Sequence, residues 1–201
     1  MPSLKTPVVL GYVALLAIIV VLVGVIVALA PSGPNAHSSP PSGRPHGVPA
    51  GAAEAVVVDH VDGDTIKVRS IGRSRYLTSG DVTTVRLLEI DTPESVDPNE
   101  PVQCYARRAD HALSRLLPLG ARVWVEPDHD LLDQYGRTLL YLWTTRGTFV
   151  NLALVRHGFA RAVLYEPNDQ HIGLMRAAER RARAVDRGLW GACRYFGQPA
   201  R

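Results

Sequence analysis

Between residues 8 and 30 the chain carries no charge of either sign, and in its first 51 residues it has no acid. It has only two cysteines in 201 residues and no internal repeat. Each absence narrows the possibilities. The charge-free run is 23 residues long, longer than the apolar part of a signal peptide, about 7–15 residues, and enough to cross a bilayer core as a helix, which takes about 20. Two cysteines permit at most one disulfide. Lys5 and Arg44 are the only charged residues before residue 52, which leaves 20 basic against 19 acidic side chains for the rest of the chain. The isoelectric point near 9.1 therefore does not come from a strongly basic domain, and binding of polyanions through a global positive field is excluded. Any such binding has to use individually placed arginines or a metal.

The organisation follows from these shifts in composition. Residues 1–7 form a short N-terminus, and residues 8–30 read as a transmembrane anchor. Lys5 and the amino terminus precede the run, whereas the next basic residue after it is Arg44, so the positive-inside rule places everything after Ala30 outside the cell. Ala28-Leu29-Ala30 has the small-x-small form of a cleavage site, which keeps secretion after signal cleavage as the alternative, but Pro31 hinders cleavage there. Residues 31–51 are dominated by proline, glycine and serine and offer no apolar period, as a linker does. Fully extended, they would reach roughly 65 Å at about 3.1 Å per residue. A folded domain is expected over residues 52–193 and a tail over 194–201. With an outward-facing domain, Cys104 and Cys193 can form a disulfide closing a loop of about 90 residues; two unpaired buried thiols are the other reading.

Within the folded part, residues 55–70 read as a hairpin turned at Asp62-Gly63-Asp64. A third strand is expected over 81–90, stopped by Thr92-Pro93 because proline has no N–H to donate. A helix opens at Pro101 and buries Ala106, Ala109, Leu113, Leu116 and Leu117. Residues 122–126 and 137–143 give the fourth and fifth strands. Residues 149–157 form a short helix ended by Gly158. A longer helix, capped by Asn168 or Asp169, runs to Arg187 with Ile172, Met175, Ala178, Ala182 and Val185 inward. Arg176, Arg180, Arg183 and Arg187 then lie on a solvated face. Five strands with a helix between the third and fourth is the order of an OB-type Greek-key barrel with helices.

Three stretches bring acids and arginines to turns on β elements: residues 62–65, 86–94 and 133–137. Asp64 and Asp91 offer the hard oxygen ligands that Ca²⁺ or Mg²⁺ prefers. Arg86 and Arg137 suit a phosphate, because the guanidinium fork matches its oxygens and stays protonated. Glu94 is a natural general base for a water. Each motif alone is weak, and a charged hairpin end is the bland reading of residues 85–94. Their joint presence in this order is more specific.

Asp-Gly-Asp-Thr ending at Thr65, Arg-Leu-Leu-Glu-Ile-Asp-Thr-Pro-Glu ending at Glu94, Asp-Gln-Tyr-Gly-Arg ending at Arg137, the helix ending at Gly158 and the Gly-Leu-Trp ending at Trp190 together resemble the thermonuclease (staphylococcal nuclease) family over about residues 55–192. The resemblance implies an OB-fold, Ca²⁺-dependent phosphodiesterase that acts on DNA and RNA and leaves 3′-phosphates. Asp64 and Asp91 would be carboxylate ligands to Ca²⁺, with the Thr92 carbonyl beside them and Asp62 near the metal without being a clear ligand. Glu94 would activate water, and Arg86 and Arg137 would clamp the phosphate. Tyr135 and Tyr165 would contact the nucleotide. Two positions depart from the pattern: Gln134 stands where the family has lysine, and Val163 where it has a tyrosine, which puts peripheral nucleotide contacts in doubt. A monomer is expected, with nucleic acid and the membrane as its partners. The competing reading is an inactive OB module that binds single-stranded nucleic acid or a protein. Retention of Asp64, Arg86, Asp91, Glu94 and Arg137 together argues against it.

Overall fold

A computed structural model gives the fold and describes residues 43–72 and 74–200. The run at 8–30 and most of the expected linker lie outside the described residues. Among the described residues no helix is long and apolar enough to cross a membrane.

Five strands close into a barrel: β1 (Ala53–His60), β2 (Thr65–Ile71), β3 (Val82–Leu87), β5 (Arg122–Glu126) and β6 (Thr138–Thr144), in the order β1-β2-β3-β6-β5. A closed sheet has no free edge, so every strand finds two neighbours. All pairings are antiparallel except β3 with β6, where Val85 pairs with Thr138, Arg86 with Leu139 and Leu87 with Leu140. The barrel is filled by the inward members of each alternating strand. Ile66, Val68, Val85, Leu87, Val123, Val125, Leu140 and Leu142 have no exposed surface. On β6 the outward members are covered as well: Leu139, Tyr141 and Trp143 pack in a second cluster with Val48, Ala52 and Leu88. A strand buried on both faces needs an unbroken apolar run, and residues 139–143 supply one.

Four helices complete the fold: α1 (Ala106–Leu116), α2 (Val150–Arg156), α3 (Ile172–Arg183) and α4 (Leu189–Ala192). Leu113, Leu154 and Met175 bring α1, α2 and α3 into the barrel's core cluster. The disulfide Cys104–Cys193 is formed, with Cα atoms 6.0 Å apart.

Several expectations shift at element ends. The third strand stops at Leu87 rather than Ile90. Glu89 adopts a left-handed backbone (φ 59°), and the chain restarts as the two-residue β4 (Ile90–Asp91), paired with β7 (Arg161–Ala162) in a separate ladder. The physical reason is the buried Glu89 carboxylate. Its Oε1 accepts the Tyr141 hydroxyl and the His171 N–H, both at 2.8 Å, contacts that a straight strand would not reach. Pro101 does not open a helix; α1 begins at Ala106 after Tyr105, whose φ of 73° reverses the chain and whose ring stacks on Phe159. Neither Asn168 nor Asp169 caps the third long helix, which begins at Ile172. Asn168 is buried and holds a loop instead, its Oδ1 accepting the Asp130 N–H at 2.8 Å. That helix ends at Arg183, four residues early, and Val185 is 60% exposed rather than inward. The end of the expected linker packs on the barrel: Val48 is buried, and the Arg44 guanidinium lies 5.2 Å from the Trp124 ring centre.

Candidate active site

The site is built around Arg86, which the alternation of β3 turns away from the core and which the closing turn then covers. Its guanidinium is held by two aspartates and by the turn that covers it. Nε makes an ion pair with Asp64 Oδ1 at 2.9 Å, Nη1 donates to the carbonyls of Leu87 and Ile90 at 2.9 and 2.8 Å, and Nη2 donates to Asp91 Oδ1 at 3.1 Å and to the Tyr165 hydroxyl at 3.5 Å. Burial works against its charge, but Asp64, Tyr165 and Asp91 outweigh that, and its pKa lies above the ordinary arginine value. Arg86 therefore sets the spacing of the two aspartates.

Asp64 arrives from the β1–β2 turn. Its Oδ2 accepts both the N–H and the hydroxyl of Thr92, at 2.8 and 2.9 Å, and its N–H donates to Asp62 Oδ1 at 2.9 Å. The turn lies so close to Thr92 and α1 that a Cβ on Gly63 would stand 2.8 Å from both Thr92 Oγ1 and Ala109 Cβ. Only glycine fits there without a shift. Asp91 is held from the other side by Arg161, whose Nε and Nη2 reach Oδ2 at 3.0 and 2.8 Å.

The electrostatics of this corner are unbalanced. Burial and the neighbouring Asp64 charge push the Asp62 carboxyl up to about 7, and burial raises Asp91 despite Arg86 and Arg161. Three carboxylates face two guanidiniums, and such a site favours an added cation. Among the described residues no group of three or more histidine, cysteine, aspartate or glutamate side chains is arranged as a ready metal site. Asp64 and Asp91, held together by Arg86, offer hard carboxylate oxygens of the kind a cation completes with water and substrate oxygens.

Arg137 sits on the adjoining wall. Asp133 organises the turn that presents it: Oδ1 accepts the N–H groups of Tyr135 and Arg137 at 2.9 Å each, and Oδ2 accepts Arg137 Nε at 2.7 Å. The turn closes through Gly136 at φ 77°, the left-handed region that favours glycine. Burial opposes the Asp133 charge, but these N–H groups hold its carboxyl below the usual aspartate range. Arg86, Arg137, Tyr135 and Tyr165 all line one cleft of about 310 Å³, with Gln134 among its lining residues. The Arg137 guanidinium lies 5.4 Å from the Tyr135 ring centre and that of Arg86 5.9 Å from the Tyr165 ring centre.

Glu94 stands apart. Its Oε1 accepts the N–H groups of Ser95, Val96 and Asp97 at 2.8, 2.7 and 3.2 Å, while Oε2 takes none of these bonds. No hydrogen bond or ion pair joins it to either arginine or either aspartate among the described residues. The structure thus brings Asp64, Arg86, Asp91 and Thr92 together, puts Arg86 and Arg137 in one cleft with both tyrosines, and leaves Glu94 on the neighbouring loop. Val163 lies beside this region, its N–H donating to the Glu89 carbonyl at 2.9 Å.

Sequence reasoning missed Arg161, Gln103, Glu89 and the turn-forming part played by Asp133. Arg161 belongs to a two-residue strand too short to show any period. Glu89 did carry a signal, an acid at an inward position of an apolar strand.

A small closed β-barrel whose surface cleft carries two arginines, one of them paired with two aspartates, suits the binding of a phosphate ester. Comparison with known sequences identifies the class further: residues 84–192 match the family described as Staphylococcal nuclease homologue, and the chain belongs to that family. It is 38% identical over 130 residues to the thermonuclease of Staphylococcus intermedius, covering 65% of this chain and 71% of that protein. It is 36% identical over 134 residues to the thermonuclease of Staphylococcus hyicus, covering 67% and 73%. With the endonuclease YncB of Bacillus subtilis (strain 168) it shares 35% identity over 157 residues, covering 77% and 70%. The chain is a nuclease, a phosphodiester hydrolase whose substrate is nucleic acid.

Proposed function

We propose that this nuclease is calcium-dependent, cuts both DNA and RNA, leaves 3′-phosphate ends and works outside the cell on an N-terminal membrane anchor. The observation that carries the reading is the double duty of Arg86, which lines the cleft and also fixes Asp64 and Asp91. A phosphodiester entering the cleft meets Arg86 on one side and Arg137 on the other, and the two guanidiniums favour the added negative charge of the five-coordinate transition state. Tyr135 and Tyr165 flank it and take the sugar and base.

Asp64, Asp91 and the Thr92 carbonyl would hold the cation, which would supply charge neutralisation and polarisation of the phosphate. Glu94 takes a proton from water through Oε2 while its other oxygen stays bonded to the loop amides. The resulting hydroxide forms a bond to phosphorus, the bond from phosphorus to the 5′ oxygen breaks, and that oxygen is protonated from solvent. The products are a 3′-phosphate and a 5′-hydroxyl.

Incubating the purified chain with single-stranded DNA tests this directly. Digestion with Ca²⁺, its loss in excess chelator and its return on adding Ca²⁺ are expected; digestion that persists in chelator overturns the metal assignment. Product 5′ ends that accept phosphate from a polynucleotide kinase without prior dephosphorylation support the bond assignment. The exterior location is supported by the disulfide, since such bonds persist in oxidising compartments, and by the charge-free run at residues 8–30. Protease added to whole cells should remove the folded domain, and full protection would reverse the orientation.

A further inference from the structure

The chain beyond α4 folds back onto the segment between Glu94 and α1. Cys193 is bonded to Cys104, the Cys104 N–H donates to the Gln198 carbonyl at 2.6 Å, and the Ala200 N–H donates to the Val102 carbonyl at 2.8 Å. Between these two bonds Gln103 pairs with Pro199. Gln103 in turn grips Glu94 at two points: its N–H donates to the Glu94 carbonyl at 2.8 Å, and its side-chain Oε1 accepts the Glu94 N–H at 3.0 Å. The same tail makes a second contact near the site. The ring of Phe196 lies 4.0 Å under the Arg161 guanidinium, the group that holds Asp91 Oδ2. One terminal segment thus stands one residue behind Glu94 and one residue behind Asp91.

We propose that residues 193–200, tethered by the disulfide, are a positioning element of the active site, acting on Glu94 through Gln103 and on Asp91 through Arg161. The proposal rests on the roles given above to Glu94 and Asp91. Its physical basis is the weakness of the Glu94 loop by itself. Residues 96–100 are exposed and contribute nothing to the core. The amides that bond to Glu94 Oε1 belong to the same loop and move with it. Gln103 is the link from Glu94 to a segment that is covalently fixed. Catalytic groups displaced by about 1 Å can lose on the order of a hundredfold in rate, so a link of this kind sets turnover and not substrate affinity. Gln103 and Arg161 are positioning residues, since neither is required to touch the phosphate.

The test uses the full chain, with Gln103→Met, which keeps length but removes the acceptor, the double variant Cys104→Ser/Cys193→Ser, and Leu119→Ala as a control at an exposed turn outside the tail. The wild type treated with excess dithiothreitol, which converts the disulfide to two thiols as the reagent is oxidised, is a fourth arm. The expected result is a kcat about tenfold or more lower for Gln103→Met, for the double variant and for the reduced protein, with KM within about twofold and Leu119→Ala unchanged. Hydrogen exchange at the amides of Ser95, Val96 and Asp97 should be about tenfold or more faster in the same three samples, while β1 and β6 amides keep their protection. A kcat within about twofold of wild type in both Gln103→Met and the reduced protein overturns the proposal. If the wild type itself cuts no nucleic acid, the function proposed above fails; the exchange measurement still decides, since unchanged protection at residues 95–97 in Gln103→Met shows that the tail positions nothing.

Discussion

Arg86 shows at the scale of one residue how a charge can be both structural and catalytic. Its side chain is nearly buried and pairs with Asp64, which is buried as well. Removing one partner of such a pair leaves the other uncompensated, at a cost of about 3–5 kcal/mol. Arg86→Ala should therefore lose stability as well as activity, seen as a lower denaturant midpoint. Glu94→Gln and Arg137→Ala should behave differently. Both residues are partly exposed, and each substitution should cut kcat by about 10²–10⁴-fold with the unfolding transition within about 1 kcal/mol of wild type; near-normal turnover in either would break the assigned roles. Asp133 supplies a pH prediction. Its folded pKa is depressed, so its stabilising contribution is present above the unfolded value near 3.9 and is lost as pH falls through the folded value. Asp133→Asn should narrow the stability difference between pH 7 and pH 3 relative to wild type; an unchanged pH dependence by thermal unfolding would remove that role. At this scale the sequence was most legible where a residue type has a single strong use. Two arginines and two aspartates could be named because phosphate and hard cations need those groups, whereas Tyr135 and Tyr165 were implied by the family resemblance alone. Arg161 could not, because an arginine on an unremarkable apolar stretch differs in no way from those on the solvated face of α3.

At the scale of elements, the alternation of β1, β2, β3 and β5 and the apolar run of β6 were readable directly, because the period of a strand and its burial have the same physical origin. Ends were not. The early stop of β3 depends on where a buried glutamate finds donors on β6 and at residue 171, two elements distant in sequence. The late start of α1 depends on the reversal at Tyr105, whose ring packs on Phe159, distant in sequence. Asn168 has the chemistry of a helix cap and is used instead to pin a loop, and the choice between those uses is made by tertiary contacts. The β1–β2 turn gives a prediction at this scale. Gly63→Ala forces a Cβ into van der Waals overlap with Thr92 and Ala109, and it should destabilise the fold by about 1–3 kcal/mol and disturb Asp64 together with it. Calorimetry combined with direct calcium titration would detect both effects, and a variant as stable as wild type would mean that the turn is free to move.

For the molecule as a whole, the disulfide closes a loop of 89 residues, for which loop-entropy arguments give about 4–5 kcal/mol of stabilisation. Thermal unfolding under reducing conditions should fall correspondingly, and an unchanged midpoint would show that the tail pairing alone holds the two segments together. The barrel, the cysteine pair and the approximate extent of the folded part were readable as a whole because each leaves a mark on composition. The bonding of Glu94 to its own loop amides was not, since it depends on the fold of that loop. The parallel pairing of β3 with β6 has one more consequence. Arg86 and Arg137 are 51 residues apart along the chain, yet their separation in space is fixed by a ladder in which Val85 faces Thr138. The intervening stretch, with its loop, helix and strand, can therefore grow or shrink at its exposed turns while the two guanidiniums keep their span. The width of the phosphate clamp is a property of the sheet, and an insertion near residues 96–100 or at the exposed turn around residue 119 would alter what surrounds the clamp without opening it.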